Sequence, residues 1–111
     1  ICLAHAGGML LWIQGRFDHG FHALDVCREN IDTPPSEYLK SFFYDSVTHS
    51  PNALRFVVDS VGHKQILLGS DFPFLIGENH PLRSIDQVPG LLPEERNAIC
   101  GGNAERLFLA G

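Results

Sequence analysis

Gln65–Ile66–Leu67–Leu68–Gly69–Ser70–Asp71–Phe72–Pro73–Phe74 is the stretch whose reading decides the fold. A short continuous apolar run of this kind predicts a buried strand, here over 65–69. The run stops at Gly69–Ser70, an acid follows at once, and an aromatic-proline-aromatic segment comes behind it. Ile1–Cys2–Leu3–Ala4–His5–Ala6–Gly7–Gly8 repeats the arrangement, with a histidine in place of the acid and glycines after it. His5 and Asp71 are 66 residues apart, the length of two strand-helix units of about 30 residues each. Both residues are therefore expected at the same end of one parallel sheet, two strands apart. The carboxyl end of such strands is where α/β barrels carry their chemistry.

Between the two, Ser41–Phe42–Phe43–Tyr44–Asp45–Ser46 reads as a short aromatic strand. Ser50–Pro51 starts a helix, with serine as cap and proline at the first helical position. Leu54, Val57, Val58 and Val61 give that helix one apolar face, and Gly62 ends it. Met9 to about Asn30 has helical character, but Gly15 and Gly20, each costing about 1 kcal/mol relative to alanine, predict a break there. The apolar piece Met9–Ile13 is expected to be buried in a core or an interface. Pro34 and Pro35 keep 32–36 a loop, and Ser36 is expected to cap a short turn through Lys40. Phe74–Val88 reads as a long loop directly behind Asp71, where it would shape a substrate site. Pro93–Glu94–Glu95–Arg96 opens a helix whose acids complement its dipole. Gly101–Gly102–Asn103 interrupts it, and a last short helix finishes at Ala110–Gly111. Strand and helix alternate throughout, which means a parallel α/β sheet. A whole α/β barrel takes roughly 250 residues. This chain has 111 and begins with Ile1 inside an apolar run, so it is expected to be the carboxyl-terminal piece of a longer protein.

The formal charge of −5, with six histidines not counted, argues against a nucleic-acid surface, which needs clustered Lys and Arg. No apolar run approaches the ~20 residues of a membrane span. Cys2, Cys27 and Cys100 are widely spaced without a C-x-x-C pair. They suggest neither a disulfide framework nor a thiolate zinc site, and read as buried free thiols in a reducing cytoplasm. No G-x-S-x-G, phosphate loop or G-x-G-x-x-G fingerprint occurs, so nucleophilic serine or cysteine catalysis has no support.

The chemistry-bearing candidates follow from these positions. His5 can bind a metal or shuttle a proton; the alternative is a core histidine bonded to a neighbouring strand, and Gly7–Gly8 favour function because they let a ligand approach the backbone. Asp71 is the stronger candidate, since carboxylates are rarely buried unless paired or metal-bound; a metal or acid-base role is preferred over a turn-forming one. Arg16 is either solvated or set to capture a carboxylate in bidentate fashion. His19 and His22 are three apart on a helix, yet lack a third ligand nearby, and read as surface or packing residues. His49, His63 and His80 read as incidental loop residues. Trp12 and Phe17 are assigned to core or interface. Asp45, at the end of the middle strand, could reach the site, but strand-end aspartate is a common turn former and that reading is preferred.

Four segments together carry a family resemblance: Ala4–His5–Ala6–Gly7–Gly8, Gly15–Arg16 with His19–Gly20–Phe21, Gly69–Ser70–Asp71–Phe72–Pro73–Phe74, and Gly102–Asn103–Ala104–Glu105–Arg106–Leu107. They resemble the amidohydrolase superfamily over essentially the whole chain, and within it the aminocarboxymuconate-semialdehyde decarboxylase branch, which acts in tryptophan and 2-nitrobenzoate breakdown. The resemblance implies the last three strand-helix units of a TIM (β/α)8 barrel, a single barrel-domain portion spanning residues 1–111, and one zinc ion. Asp71 would ligate the zinc and His5 would be the acid-base group beside it. Arg16 would hold the carboxylate of a small-molecule substrate, reaching in from the neighbouring subunit of a homodimer. The metal's other ligands would lie outside this chain, so the fragment alone is expected to be inactive. Ala6 stands where the family has glycine; the added methyl is expected to be tolerated unless that backbone needs positive φ. A metal-dependent hydrolase using the same histidine and aspartate is the competing activity, and an inactive, metal-free fragment is the third reading.

Overall fold

A computed structural model describes residues 1–109; the expected helix finish at Ala110–Gly111 lies outside the described residues. Strands β1 (Cys2–Leu3), β2 (Phe43–Asp45) and β3 (Ile66–Leu67) form one sheet in the order β1-β2-β3. Both pairings are parallel, with Leu3 opposite Tyr44 and Tyr44 opposite Ile66. The α/β reading and the two-strand separation of His5 from Asp71 therefore hold. Tyr44 and Ile66 are fully buried, and the sheet centre packs on Leu11, Leu54, Ile85 and Ile99. Burying each such side chain contributes about 1.5–3 kcal/mol.

Helix α3 (Pro51–Val61) connects β2 to β3 and follows its sequence signals. The Ser50 hydroxyl accepts the Ala53 N–H at 3.3 Å, Leu54, Val57 and Val58 face the core, and Gly62 leaves the helix at φ 86°. That φ is open to glycine and costly for most other residues.

Helix α1 (Gln14–Ala23) runs through Gly15 and Gly20 without the expected break. Two glycine penalties of about 1 kcal/mol each are outweighed by tertiary contact. α1 lies against α2 (Pro35–Leu39), and the Asp18 carboxylate accepts the Ser36 N–H at 2.9 Å. Ser36 is thus inside α2; Pro34 stands just before the helix without a side-chain cap, and Pro35 takes the first position. Met9–Ile13 is a run of turns, not helix. Within it Leu11 is buried but Met9 and Trp12 are exposed, as is Phe17 in α1, so of the two expectations, core or interface, the core one fails for these three among the described residues. The cysteines also depart from expectation: Cys2 and Cys27 are exposed and Cys100 is half-buried.

Part of the expected 74–88 loop is helical. α4 (Pro81–Asp86) places Ile85 in the core, with Val88 buried just beyond it; proline at its first position was the available signal. α5 (Pro93–Asn97) passes through a widened π turn at Ala98–Gly102 into α6 (Asn103–Phe108). The widened turn leaves the Ile99 carbonyl free to accept the Leu68 N–H at 3.2 Å, which ties β3 to the last helix. Among the described residues no helix is long and apolar enough to cross a membrane.

Candidate active site at the carboxyl ends of the strands

The chain leaves β1 into a tight left-handed turn. His5 and Ala6 have φ 52°, Gly7 φ 77° and Gly8 φ 60°. Each non-glycine residue in that region costs roughly 1–2 kcal/mol. The condition attached to Ala6 is therefore met: a residue with a Cβ sits where the backbone needs positive φ. Its methyl is buried against the core. Gly7 has no such latitude, because a Cβ there would lie 2.8 Å from the Tyr44 ring. The Tyr44 ring is itself pinned by its hydroxyl, which donates to the Leu39 carbonyl at 2.6 Å. Burial pushes the phenol's pKa up.

Asp45, at the end of β2, reaches back to this turn. Its carboxylate accepts the His5 N–H at 2.8 Å, the Ala6 N–H at 3.0 Å and the Val47 N–H at 3.0 Å. The Val47 bond is the expected turn-forming contact; the two bonds to the His5 turn, across some 40 residues of chain, show that Asp45 also reaches the site, the less favoured of its two readings. The signal for them was an acid at the end of the strand lying between the other two. Hydrogen bonds to a charged acceptor contribute about 1.5–3 kcal/mol each, enough to offset the backbone strain of the turn.

Asp71 follows β3 and also has positive φ, 58°. Its carbonyl accepts the Phe74 N–H at 3.0 Å, and the Ser70 carbonyl accepts the Glu78 N–H at 2.7 Å. Gly77 lets the loop close, since a Cβ there would come within 2.7 Å of the Ser70 oxygen. The loop is further held by Glu78, whose carboxylate accepts the Ser84 hydroxyl and the His80 N–H. Those two bonds hold the Glu78 carboxyl below its usual pKa. His49, which follows β2, stands 3.9 Å from the same carboxylate.

These turns bring His5 Nε2 to 3.6 Å from Asp71 Oδ1, with the Asp71 side chain 18% and the His5 side chain 62% exposed. The pair lines a cleft of about 200 Å³ whose other walls are Phe74 and Ile76. A distance of 3.6 Å is longer than a hydrogen bond and suits two groups serving one bound species between them. A carboxylate oxygen and an imidazole nitrogen are donors that zinc and related divalent ions accept. Among the described residues no three His, Cys, Asp or Glu side chains group closely enough to hold a metal ion. The pair fits as part of a ligand set that needs further donors.

Arg16 is not part of this cleft. It lines a separate groove with Phe17, His19, Leu24 and Cys27. The Trp12 and Phe56 rings meet at 5.9 Å, tilted by 59°, beside a third cavity of about 410 Å³ that His5 also lines.

The sequence profile of the family described as Amidohydrolase matches residues 1–109. The chain belongs to the amidohydrolase family. Among relatives of this amidohydrolase chain, the 2-amino-3-carboxymuconate-6-semialdehyde decarboxylase of Dictyostelium discoideum is 37% identical over 105 residues, 94% of this chain and 29% of the relative. The crystal structure of 2,6-dihydroxybenzoate decarboxylase from Rhizobium superposes with a TM-score of 0.82 at 26% identity, over all of this chain and 35% of that one. A dihydroxybenzoic acid decarboxylase from Polaromonas sp. JS666, solved with bound manganese and 2-nitroresorcinol, shares the fold at a TM-score of 0.82 and 21% identity, over 98% of this chain and 33% of that one. The amidohydrolase chain thus spans about a third of the length of the proteins it matches, and its three parallel strands are a segment of their (β/α)8 barrel.

Proposed function

We propose that this amidohydrolase chain forms the last three strand-helix units of a metal-dependent decarboxylase that removes carbon dioxide from an aminocarboxymuconate-semialdehyde-like acid without oxidation. The observation that carries the reading is the convergence of His5 and Asp71, 3.6 Å apart, at one end of a parallel sheet. The similarity to a decarboxylase of that substrate supports it.

A zinc ion held by Asp71 and by donors outside this chain would supply Lewis acidity. The chain's own residues do the rest. His5, more exposed than Asp71, is free to give and take a proton at Nε2. Decarboxylation breaks the bond between the substrate carbon and its carboxylate and leaves an electron pair on that carbon; the proton that takes up the pair comes from His5. Phe74 and Ile76 supply the apolar walls of the cleft that the pair lines. Arg16 points to its own groove, which fits a residue donated to a neighbouring subunit's site in a homodimer, where it would hold a substrate carboxylate.

The experiment is an ultraviolet assay of the intact protein with aminocarboxymuconate semialdehyde. Expected are loss of substrate absorbance, abolition by chelation and recovery with zinc. Inactive Arg16→Ala and His5→Ala proteins, mixed as subunits, should regain part of the activity, because one functional site can then form from two chains. Carbonyl hydrolysis in place of carbon dioxide release would replace decarboxylation with the hydrolase reading. Stoichiometric zinc on the isolated 111-residue chain would contradict the claim that its ligand set is incomplete.

A further inference from the structure

We infer that Asp45 is a positioning residue: its carboxylate clamps the left-handed His5–Ala6 turn and so fixes the imidazole of His5 opposite Asp71. The inference rests on the decarboxylase reading for its effect on rate, but its geometry stands apart from any reaction.

Asp45 ends the strand that lies between β1 and β3, so it stands between the two ends that carry the chemistry. One carboxylate oxygen accepts the His5 N–H at 2.8 Å and the other accepts the Ala6 N–H at 3.0 Å. Two successive backbone N–H groups turned toward one anion form a concave nest, here filled by a side chain of the same sheet. The nest exists only while residues 5 and 6 keep positive φ, and both do, at 52°. Neither is glycine, so the turn has no intrinsic preference for this shape and needs an outside hold. The neighbouring strand is built to leave room for the clamp. A Cβ on Gly69 would lie 3.1 Å from Asp45 Cβ and 3.1 Å from a Val47 methyl. The Gly69 N–H donates to the Ser46 hydroxyl at 3.1 Å, which locks the end of β2 to the end of β3 just before Asp71. The imidazole is mostly exposed among the described residues, while its backbone is held. Its direction is therefore set from the backbone, by Asp45.

Asp45→Asn in the intact protein tests this, since the amide is the same size but offers N–H groups to one of the two donors. Backbone hydrogen exchange over residues 4–8 is expected to quicken about tenfold or more. The kcat should fall roughly 10–100-fold, the loss usual when a hydrogen-bonded support is removed, with KM and bound metal little changed. Adding Ala6→Gly, which lets the turn keep its shape without the clamp, should slow exchange again and restore several-fold of the lost kcat. A general folding defect would lower metal content and raise KM together, and glycine at position 6 would not cure it. Unchanged exchange in Asp45→Asn, unchanged kcat, or no recovery with Ala6→Gly would each overturn the inference. If Asp45→Asn does not accumulate folded, Asp45→Ser, whose hydroxyl can still accept the Val47 N–H, carries the same expectations. An intact wild-type protein that fails to decarboxylate refutes the proposed function alone; the exchange measurement needs no substrate and still decides whether Asp45 holds the turn.

Discussion

Gly7→Ala separates two costs that usually travel together, backbone strain and steric contact. Gly7 sits at φ 77°, and a Cβ built there lies 2.8 Å from Tyr44 Cε1 and 3.1 Å from Cδ1. The ring cannot swing aside cheaply, because Tyr44 is fully buried and its hydroxyl is bonded to the Leu39 carbonyl at 2.6 Å. The φ term costs roughly 1–2 kcal/mol, and forcing a methyl into a packed core adds about 1–3 kcal/mol. Gly90 is the internal control: it has φ 64°, and a Cβ there would meet nothing within 4 Å, so Gly90→Ala bears the backbone term alone. Thermal melting of the intact protein should place Gly7→Ala about 1–5 °C below Gly90→Ala, since the entropy of unfolding grows with chain length and each kcal/mol is worth only about 1–2 °C in a barrel roughly three times this chain's length. Activity should fall with Gly7→Ala and not with Gly90→Ala, because only the first displaces the turn that carries His5. A Gly7→Ala protein melting no lower than Gly90→Ala would refute the packing argument, and one that melted lower yet kept full kcat would refute the link from this turn to the imidazole.

Asn103→Ala should destabilise by about 2–4 kcal/mol, read as a shift in denaturant midpoint. Its side-chain amide donates to the carbonyls of His63 at 2.7 Å and Ile66 at 2.8 Å, and the Ile66 acceptor would be left buried without a partner; a shift near zero would mean the widened turn repacks freely. Glu78 gives a pH signature. Its folded pKa lies below the unfolded value, so its contribution is complete above the unfolded pKa and is lost as pH falls through the folded one. The melting advantage of wild type over Glu78→Gln should be full near neutral pH and vanish in strong acid; an advantage that grows on acidification would have the wrong sign.

Much of the scaffold was legible because its signals are local. Ser50, Pro51 and Gly62 bound α3 through capping chemistry that needs no distant partner, and the apolar spacing of Leu54, Val57 and Val58 states which face is buried. The break expected at Gly15–Gly20 failed because helix propensity is worth only about 1 kcal/mol per glycine, and the Asp18–Ser36 bond comes from another segment. Trp12 and the Met9–Ile13 piece read as core or interface, and a linear pattern does not say which; their exposure rules out only the core for Trp12 and Met9.

The sequence by itself determined that a histidine and an aspartate end two apolar strands at the spacing of two strand-helix units, because strand, turn and helix preferences act over a few residues. Only the tertiary structure decided that these two side chains stand 3.6 Å apart, that Arg16 belongs to a different groove, and that Asp45 reaches across to the His5 turn. Those outcomes depend on the register of a parallel sheet and on left-handed backbone at His5. Both are set by contacts between segments tens of residues apart, where no local preference operates.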